Sequence, residues 1–209
     1  MVVPPPRSRK RSIACPYDER VSRCQYYCAM SLDGYIADDE DGIEWLTGYE
    51  GRYEGEDAQP ARGGYDRFYG EVGALVMGSV SYEWILANIS QGGWPYAGKP
   101  AWVLSSRQLE APAGEGVDVR VVDADVAELH GEISEAAGQA NVWVVGGGNV
   151  ASQFADQGLL DEVVITLVPT VLGSGKPLFD RVLPGGPMQL IEACPLDSGM
   201  VSLRYQIRR

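Results

Sequence analysis

An α/β fold, three layers deep with a mostly parallel mixed sheet at its centre, is predicted by three observations. Short apolar runs at 74–77, 101–104, 141–145 and 163–168 alternate with stretches of helical spacing. Three of those runs end in small or polar residues where a helix or loop begins: Gly78-Ser79-Val80-Ser81, Ser105-Ser106-Arg107 and Gly146-Gly147-Gly148-Asn149-Val150. The chain then closes with apolar runs at 188–193 and 200–207, joined by Pro195-Leu196-Asp197-Ser198-Gly199, the pattern of an antiparallel hairpin.

The elements follow in order. An apolar run over 24–37 breaks at Asp33-Gly34 and predicts a first core strand ending in a turn. The residues after it predict a long loop, because Asp38, Asp39, Glu40 and Asp41 crowd before Gly42 and the stretch to Gly64 has no apolar period. Residues 65–72 have short helical spacing, 74–77 form a strand, and a helix starts near Ser79 to Ser81. Residues 101–104 and 117–122 are strands and 126–137 a helix. The strand at 141–145 passes through the glycines into a helix at 149–157, and 163–168 is again strand.

Composition bounds the function. The 209 residues carry 17 Lys+Arg against 29 Asp+Glu, a net charge of −12, with 45% hydrophobic and 22% charged residues. Such a chain has enough apolar surface for a core and repels phosphate backbones and anionic lipids, so nucleic acid and membrane are excluded as partners. Residues 1–22 hold Pro4, Pro5, Pro6 and the cations Arg7, Arg9, Lys10 and Arg11, which predicts a flexible basic tail ahead of a single domain over 23–209. The cysteines at 15, 24, 28 and 194 form no C-x-x-C pair and have one histidine, His130, beside them, so reduced thiols, no zinc site and a cytoplasmic location are expected.

The three strand ends predict a nucleotide crevice. Ligands of open α/β sheets bind beyond the carboxyl ends of strands, where helix starts present unpaired N–H groups to phosphate and glycine lets the backbone come close. Gly146-x-Gly148-x-x-Ala151 satisfies the dinucleotide pattern G-x-G-x-x-[GA]. The ribose-binding acid of a standard Rossmann site is not where that pattern needs it, since Asp161 and Glu162 precede the next strand and Leu167-Val168-Pro169-Thr170 ends it without one. Two carboxylates are candidates for catalysis. Asp33, in the turn after the first strand, is read either as a turn former or as an acid that orients or protonates substrate, with burial raising its pKa; Asp66, on the short helix, is a positional substitute. Glu44 and Trp45 are expected to line the substrate pocket, the indole stacking on a planar ring or simply anchoring its loop.

Four segments carry a resemblance. Ala29-Met30-Ser31-Leu32-Asp33-Gly34-Tyr35-Ile36-Ala37, Val76-Met77-Gly78-x-x-Ser81-Tyr82-Glu83, Val144-Val145-Gly146-Gly147-Gly148 and Pro169-Thr170-Val171-Leu172-Gly173-Ser174-Gly175-Lys176-Pro177-Leu178-Phe179 together resemble the dihydrofolate-reductase-like superfamily, and within it the RibD C-terminal reductases of riboflavin biosynthesis. The resemblance implies NADPH as cofactor and hydride transfer to a C=N or carbonyl centre of a pterin-like or pyrimidine-ribosyl substrate, as in dihydrofolate reductase and 5-amino-6-(5-phosphoribosylamino)uracil reductase. It implies that Gly146, Gly147 and Gly148 hold the pyrophosphate with a cis bond between the first two, that Asn149 and Val150 begin the helix beneath, and that Gly78, Ser79 and Ser81 hold phosphate at the other helix start. Ser105, Ser106 and Arg107 would meet the 2′-phosphate, and Ala29 and Ile36 would flank the nicotinamide. Similar proteins have Gly-Arg-x-Thr where this chain has Gly78-Ser79-Val80-Ser81, so one phosphate-facing arginine is absent. A homodimer is expected from the apolar segments 163–171 and 172–179. The alternative function is a nucleotide-binding module of the same fold without turnover.

Overall fold

The computed structural model describes residues 22–47, 64–90, 93–196 and 199–208. Nearly all of the tail expected over 1–22 therefore lies outside the described residues, as does most of the loop stretch expected to run to Gly64.

In chain order the elements are β1 (Cys24–Ser31), β2 (Tyr35–Ala37), α1 (Glu44–Thr47), α2 (Tyr65–Gly70), β3 (Val72–Gly78), α3 (Ser79–Asn88), β4 (Ala101–Leu104), β5 (Val119–Val122), α4 (Val126–Ala137), β6 (Asn141–Gly146), α5 (Gly148–Asp156), β7 (Glu162–Val168), β8 (Lys176–Pro177), β9 (Gln189–Pro195) and β10 (Val201–Gln206). Eight strands form one sheet in the order β5-β4-β3-β6-β1-β7-β10-β9, and β2 pairs with β8 apart from it. The first six strands of that order run parallel, while β10 and β9 are antiparallel and close the edge as the predicted hairpin.

Strand alternation splits the core into two layers. Tyr26, Ala74, Val76, Trp102, Val142 and Val144 point to one face, where α4 and α5 cover them with Leu129, Ile133, Val150 and Phe154. Leu75, Met77, Ala101, Val103 and Trp143 point to the other, beneath Phe68 of α2, Tyr82 and Ile85 of α3, and the rings of Trp94 and Tyr96. Helix α4 shows how the sequence writes such an element. Val126, Leu129, Ile133 and Ala137 recur on its buried stripe, Asp125 caps the start by accepting from Ala127 N at 2.8 Å, and Gly138 ends it at φ 64°.

The order of connections creates the site. From β3 the chain leaves through α3 on one face towards β4 and β5; β6 then returns between β3 and β1, and α5 crosses the opposite face to reach β7. Strands β3 and β6 are neighbours whose following helices part to opposite faces, the arrangement that opens a crevice at the carboxyl ends of an α/β sheet.

The first strand ends in the turn expected at Asp33-Gly34, where Gly34 N–H bonds Ser31 O at 3.1 Å with Gly34 at φ 93°, and Tyr35 N–H is taken by Ser31 Oγ at 3.0 Å. Beyond that turn β2 pairs with β8. A short α1 lies inside the expected loop, and the helix expected to reach residue 72 stops at Gly70, since Val72 already belongs to a longer β3. Strand β7 is paired along its length with β1 on one side and β10 on the other. Cys24, Cys28 and Cys194 are in no disulfide among the described residues, and burial pushes the Cys28 thiol up to about 12. No helix of the described residues is long and apolar enough to cross a membrane.

One charged group is buried in this sheet. Glu162, only 1% exposed, accepts from Arg23 Nη1 at 2.8 Å, Arg204 Nε at 2.7 Å and Gln25 Nε2 at 2.8 Å. Its carboxylate is the shared acceptor that ties β1, β7 and β10 together on the α2 face. Glu162→Ala is expected to destabilise the fold by about 3 kcal/mol, because it leaves two nearly buried guanidiniums without that acceptor. Urea denaturation checks this, and a loss below about 1 kcal/mol, the scale of an exposed pair, contradicts it.

Candidate functional site

The crevice is built from glycine and two open helix starts. Strand β3 ends at Gly78 and β6 at Gly146, with Met77 opposite Gly146 after a register shift that bulges Val145. The Gly146–Gly147 peptide bond is cis. Gly78 and Gly147 occupy the N-cap positions of α3 and α5, and neither helix has a side-chain cap or an acid in its first turn, whereas α4 has Asp125 and Glu128. Two helix starts thus present first-turn N–H groups and partial positive charge at adjacent strand ends.

Close approach explains which glycines stand where. A Cβ on Gly146 would lie 3.0 Å from Ser81 Oγ, and one on Gly78 would lie 3.2 Å from Val150 Cγ2, so these four residues are packed together. A Cβ on Gly148 would meet the carbonyl oxygens of Leu178 at 2.7 Å and Pro177 at 2.9 Å. Gly147 differs, because a Cβ there meets nothing within 4 Å. Its surroundings are open, in front of the α5 start, and they fit the pyrophosphate of a dinucleotide.

A second opening lies beside it. Strands β1 and β6 pair only as far as Tyr26 and Val144, while β1 continues with β7 to Ser31. The carbonyl of Tyr27, where β6 drops away, is taken instead by the indole Nε1 of Trp143 at 3.2 Å. Ala29 stands on the stretch of β1 that β6 has left, and Ile36 on β2; both are half-buried. On the α2 face the Tyr27 hydroxyl and Thr166 Oγ1 are 3.5 Å apart, and the Tyr27 ring stacks on Phe68 at 4.2 Å. Burial pushes the Tyr27 phenol above its ordinary range, so it keeps its proton. The same ring lines a crevice of about 30 Å³ with Phe68, Ser202 and Arg204. A cavity of about 470 Å³ sits elsewhere, at the amino end of β7 by Asp161 and Gln206, away from both helix starts.

Asp33 does not fit the role of a proton donor. Its carboxylate accepts from Ser31 Oγ at 2.7 Å and from the backbone N–H groups of Gly173 at 2.7 Å and Leu172 at 3.1 Å. The Ser31 hydroxyl, followed by those amides, holds the carboxyl down at about 2. The expected rise through burial is therefore reversed in sign. Asp33 is a clip: it joins the turn after β1 to a strap over 170–178, which also pairs through β2 and β8, donates from Leu178 N–H to Gly34 O at 3.0 Å, and donates from Ser174 Oγ to Asp39 at 2.5 Å. The strap then rests its carbonyls against Gly148, as above, and its Leu178 O accepts from the Tyr26 hydroxyl at 3.3 Å.

The other sequence-selected residues fall around this centre. Ser79 begins α3. Asn149 is the second residue of α5, which begins at Gly148, and its side-chain amide is engaged with Asp180 at 2.6 Å and Gln153 at 2.7 Å. Ser105 and Ser106 follow β4, one strand out from the crevice, and Ser105 Oγ is occupied in a local turn with the backbone of Arg107. The Arg107 guanidinium, expected to be available to phosphate, instead forks onto Glu83 at 3.0 and 2.6 Å. Asp66 is exposed on α2, whose Tyr65 ring meets Tyr27 and Trp143. Glu44 is exposed on α1, and Trp45 beside it has an indole Nε1 that is buried with no partner among the described residues.

A family model for the RibD C-terminal domain matches residues 94–202, just over half of the chain. The chain belongs to the RibD C-terminal domain family. The "Uncharacterized protein YwjB" of Bacillus subtilis (strain 168) is 31% identical over 156 residues, 75% of this chain and 82% of that protein. Among solved structures, the "Putative riboflavin biosynthesis protein" of Shewanella sp. PV-4 has TM-score 0.73 at 28% identity, covering 90% of this chain and 99% of its own. Dihydrofolate reductase from Enterococcus faecalis, complexed with NADP(H), has TM-score 0.56 at 14% identity over 88% of this chain and 95% of its own. That last likeness shows the fold, the dihydrofolate-reductase-like α/β sheet. At the level of the RibD C-terminal and dihydrofolate-reductase-like group the activity is that of an oxidoreductase.

Within this RibD-type domain the sequence reading missed Tyr27, Thr166 and Glu83 as site residues. Val163-Val164-Ile165-Thr166 does place one hydroxyl in an apolar strand, but nothing local says which tyrosine it faces. The clip can be tested directly. A carboxyl lowered from its ordinary 3.8 to about 2 stabilises its contacts above the ordinary value and loses them as pH falls through about 2. The amide resonances of Leu172 and Gly173 should therefore hold still from pH 7 to about pH 4, and a titration step centred above pH 4 would contradict the assignment.

Proposed function

We propose that this protein is an NADPH-dependent reductase that delivers hydride to a C=N or carbonyl carbon of a small pterin-like or pyrimidine-type heterocycle. The observation that carries the reading is the open space at Gly147 between two uncapped, acid-free helix starts at the parting of β3 and β6. When bound, the nicotinamide supplies the hydride. The chain supplies the rest. The N–H groups of Gly148, Asn149 and Val150, with Gly146 and Gly147 beside them, hold the pyrophosphate; Gly78, Ser79 and Ser81 hold phosphate from the other side; Ser105, Ser106 and Arg107 lie towards the adenosine half. Ala29 and Ile36 flank the ring where β1 and β6 part.

On the α2 face the Tyr27 hydroxyl, protonated and next to Thr166, donates a hydrogen bond to a substrate acceptor, and Trp45 and Glu44 close the pocket from α1. Asp33 holds the strap in place and transfers no proton. Asp66 is the carboxylate of the original pair left for that role. Asp38, Asp39, Glu40, Asp41 and Glu44 surround the mouth, and Lys176, the cation among them, is 3.6 Å from Asp41, so a substrate without phosphate is favoured. The lowered carboxyl of Asp33 also gives the binding-module alternative a specific footing, which NADPH oxidation over a panel of pterins and pyrimidines decides.

Gly147→Val is the sharper test of the site. At φ −83° and in open space the position accepts a side chain, so the fold should persist, while the valine fills the ligand's volume. Fluorescence titration should show NADPH binding abolished with an unchanged melting temperature. A folded variant of native affinity would sink the assignment.

A further inference from the structure

The Arg107–Glu83 fork lies where the adenosine half of a dinucleotide would extend if the proposed function holds, and the following argument rests on that reading. Glu83 stands one turn along α3 from Ser79, on the same helix face, and Arg107 follows the end of β4, the strand next to β3. The contact is bidentate, Nη1 to Oε1 at 3.0 Å and Nη2 to Oε2 at 2.6 Å, with the two side chains 56% and 45% exposed. Between residues 79 and 110 the chain has one other cation, Lys99, and that side chain reaches back to the Val72 carbonyl at the amino end of β3. Ser79 has no charge. A 2′-phosphate arriving on this side therefore has a single guanidinium to meet, and both arms of its fork are already held by a carboxylate.

We propose that Glu83 sets the choice between NADPH and NADH, by occupying the arginine fork that a 2′-phosphate needs and by offering an acceptor that an unphosphorylated ribose hydroxyl can use. For NADPH to take the same end-on fork of Arg107, that fork must leave Glu83, and a phosphate dianion that takes the remaining Nε and Nη hydrogens instead still sits beside the carboxylate. For NADH neither penalty arises. The 2′-hydroxyl donates to Glu83 much as it does to the acid at a ribose-binding strand end, and Arg107 keeps the carboxylate oriented. The pair is nearly neutral as a unit, so the native site discriminates weakly between the two nucleotides. Glu83 is a specificity-determining residue and has no part in hydride transfer.

The experiment measures dissociation constants of NADPH and NADH by fluorescence titration for the native protein, Glu83→Gln, Arg107→Ala and the double variant. The native affinities should lie within about tenfold of each other. Glu83→Gln keeps the size of the side chain and removes the charge, and should tighten NADPH about five- to tenfold, leaving NADH unchanged or weaker, as expected for freeing one charge-assisted contact at an exposed site. In the Arg107→Ala background the same substitution should lose most of that gain, because the effect acts through the guanidinium. A ratio of NADPH to NADH affinity that stays within twofold of native in Glu83→Gln, or a loss of NADPH affinity, overturns the assignment of Glu83 alone. If the native protein binds neither nucleotide, the reductase reading falls and this inference falls with it.

Discussion

The architecture depends on how closely the backbone can pack where β3 and β6 end. Side by side, these strands finish in Gly78 and Gly146, and each runs within a residue or two into a helix that leaves for the opposite face of the sheet. Ser81 covers Gly146, Val150 covers Gly78, and the strap carbonyls cover Gly148. Any side chain at Gly146 or Gly148 would separate parts that now touch. The constraint leaves one glycine unburdened, Gly147, and the space before it is the feature from which a function follows.

The carboxylates near this centre serve structure first. Asp33 is held ionised by a hydroxyl and two amides, Asp180 is pulled down by Arg181 and by Asn149 at the α5 start, and Glu83 is lowered by Arg107. Each of these acids lies where a catalytic acid was plausible on sequence grounds or where the cofactor would pass. Their hydrogen bonds favour the charged form, the opposite of what a proton donor requires at neutral pH. In the proposed function Asp66 is the carboxylate left for proton transfer, and Tyr27, partly buried and 3.5 Å from the Thr166 hydroxyl, is a hydrogen-bond donor that the sheet itself supplies.

Much of this was legible in the sequence because it is local. The glycines at 78 and 146–148 follow apolar runs directly, the stripe and cap of α4 lie within one segment, and the closing hairpin has its turn residues between its strands. What was not legible needs partners far apart. Asp33 announces a turn, yet its second set of donors is Leu172 and Gly173, brought near by strands only two or three residues long that have no pattern of their own. Arg107 reads as a free cation until the sheet order places Glu83 of α3 beside the end of β4. The Tyr27–Thr166 pair depends on the register of β1 with β7, and the parting of β1 from β6 depends on Trp143 reaching across to a carbonyl.

The central claim is that the parting of β3 and β6 is a dinucleotide site, and amide hydrogen exchange with and without NADPH tests it most directly. First-turn N–H groups that no cap satisfies exchange readily in the free protein, and a bound pyrophosphate should slow them. The account predicts protection by NADPH at the amides of residues 79–81 and 147–150, with residues 206–208 beside the larger cavity unaffected. Protection at that cavity, or no change at either helix start under saturating nucleotide, would contradict it.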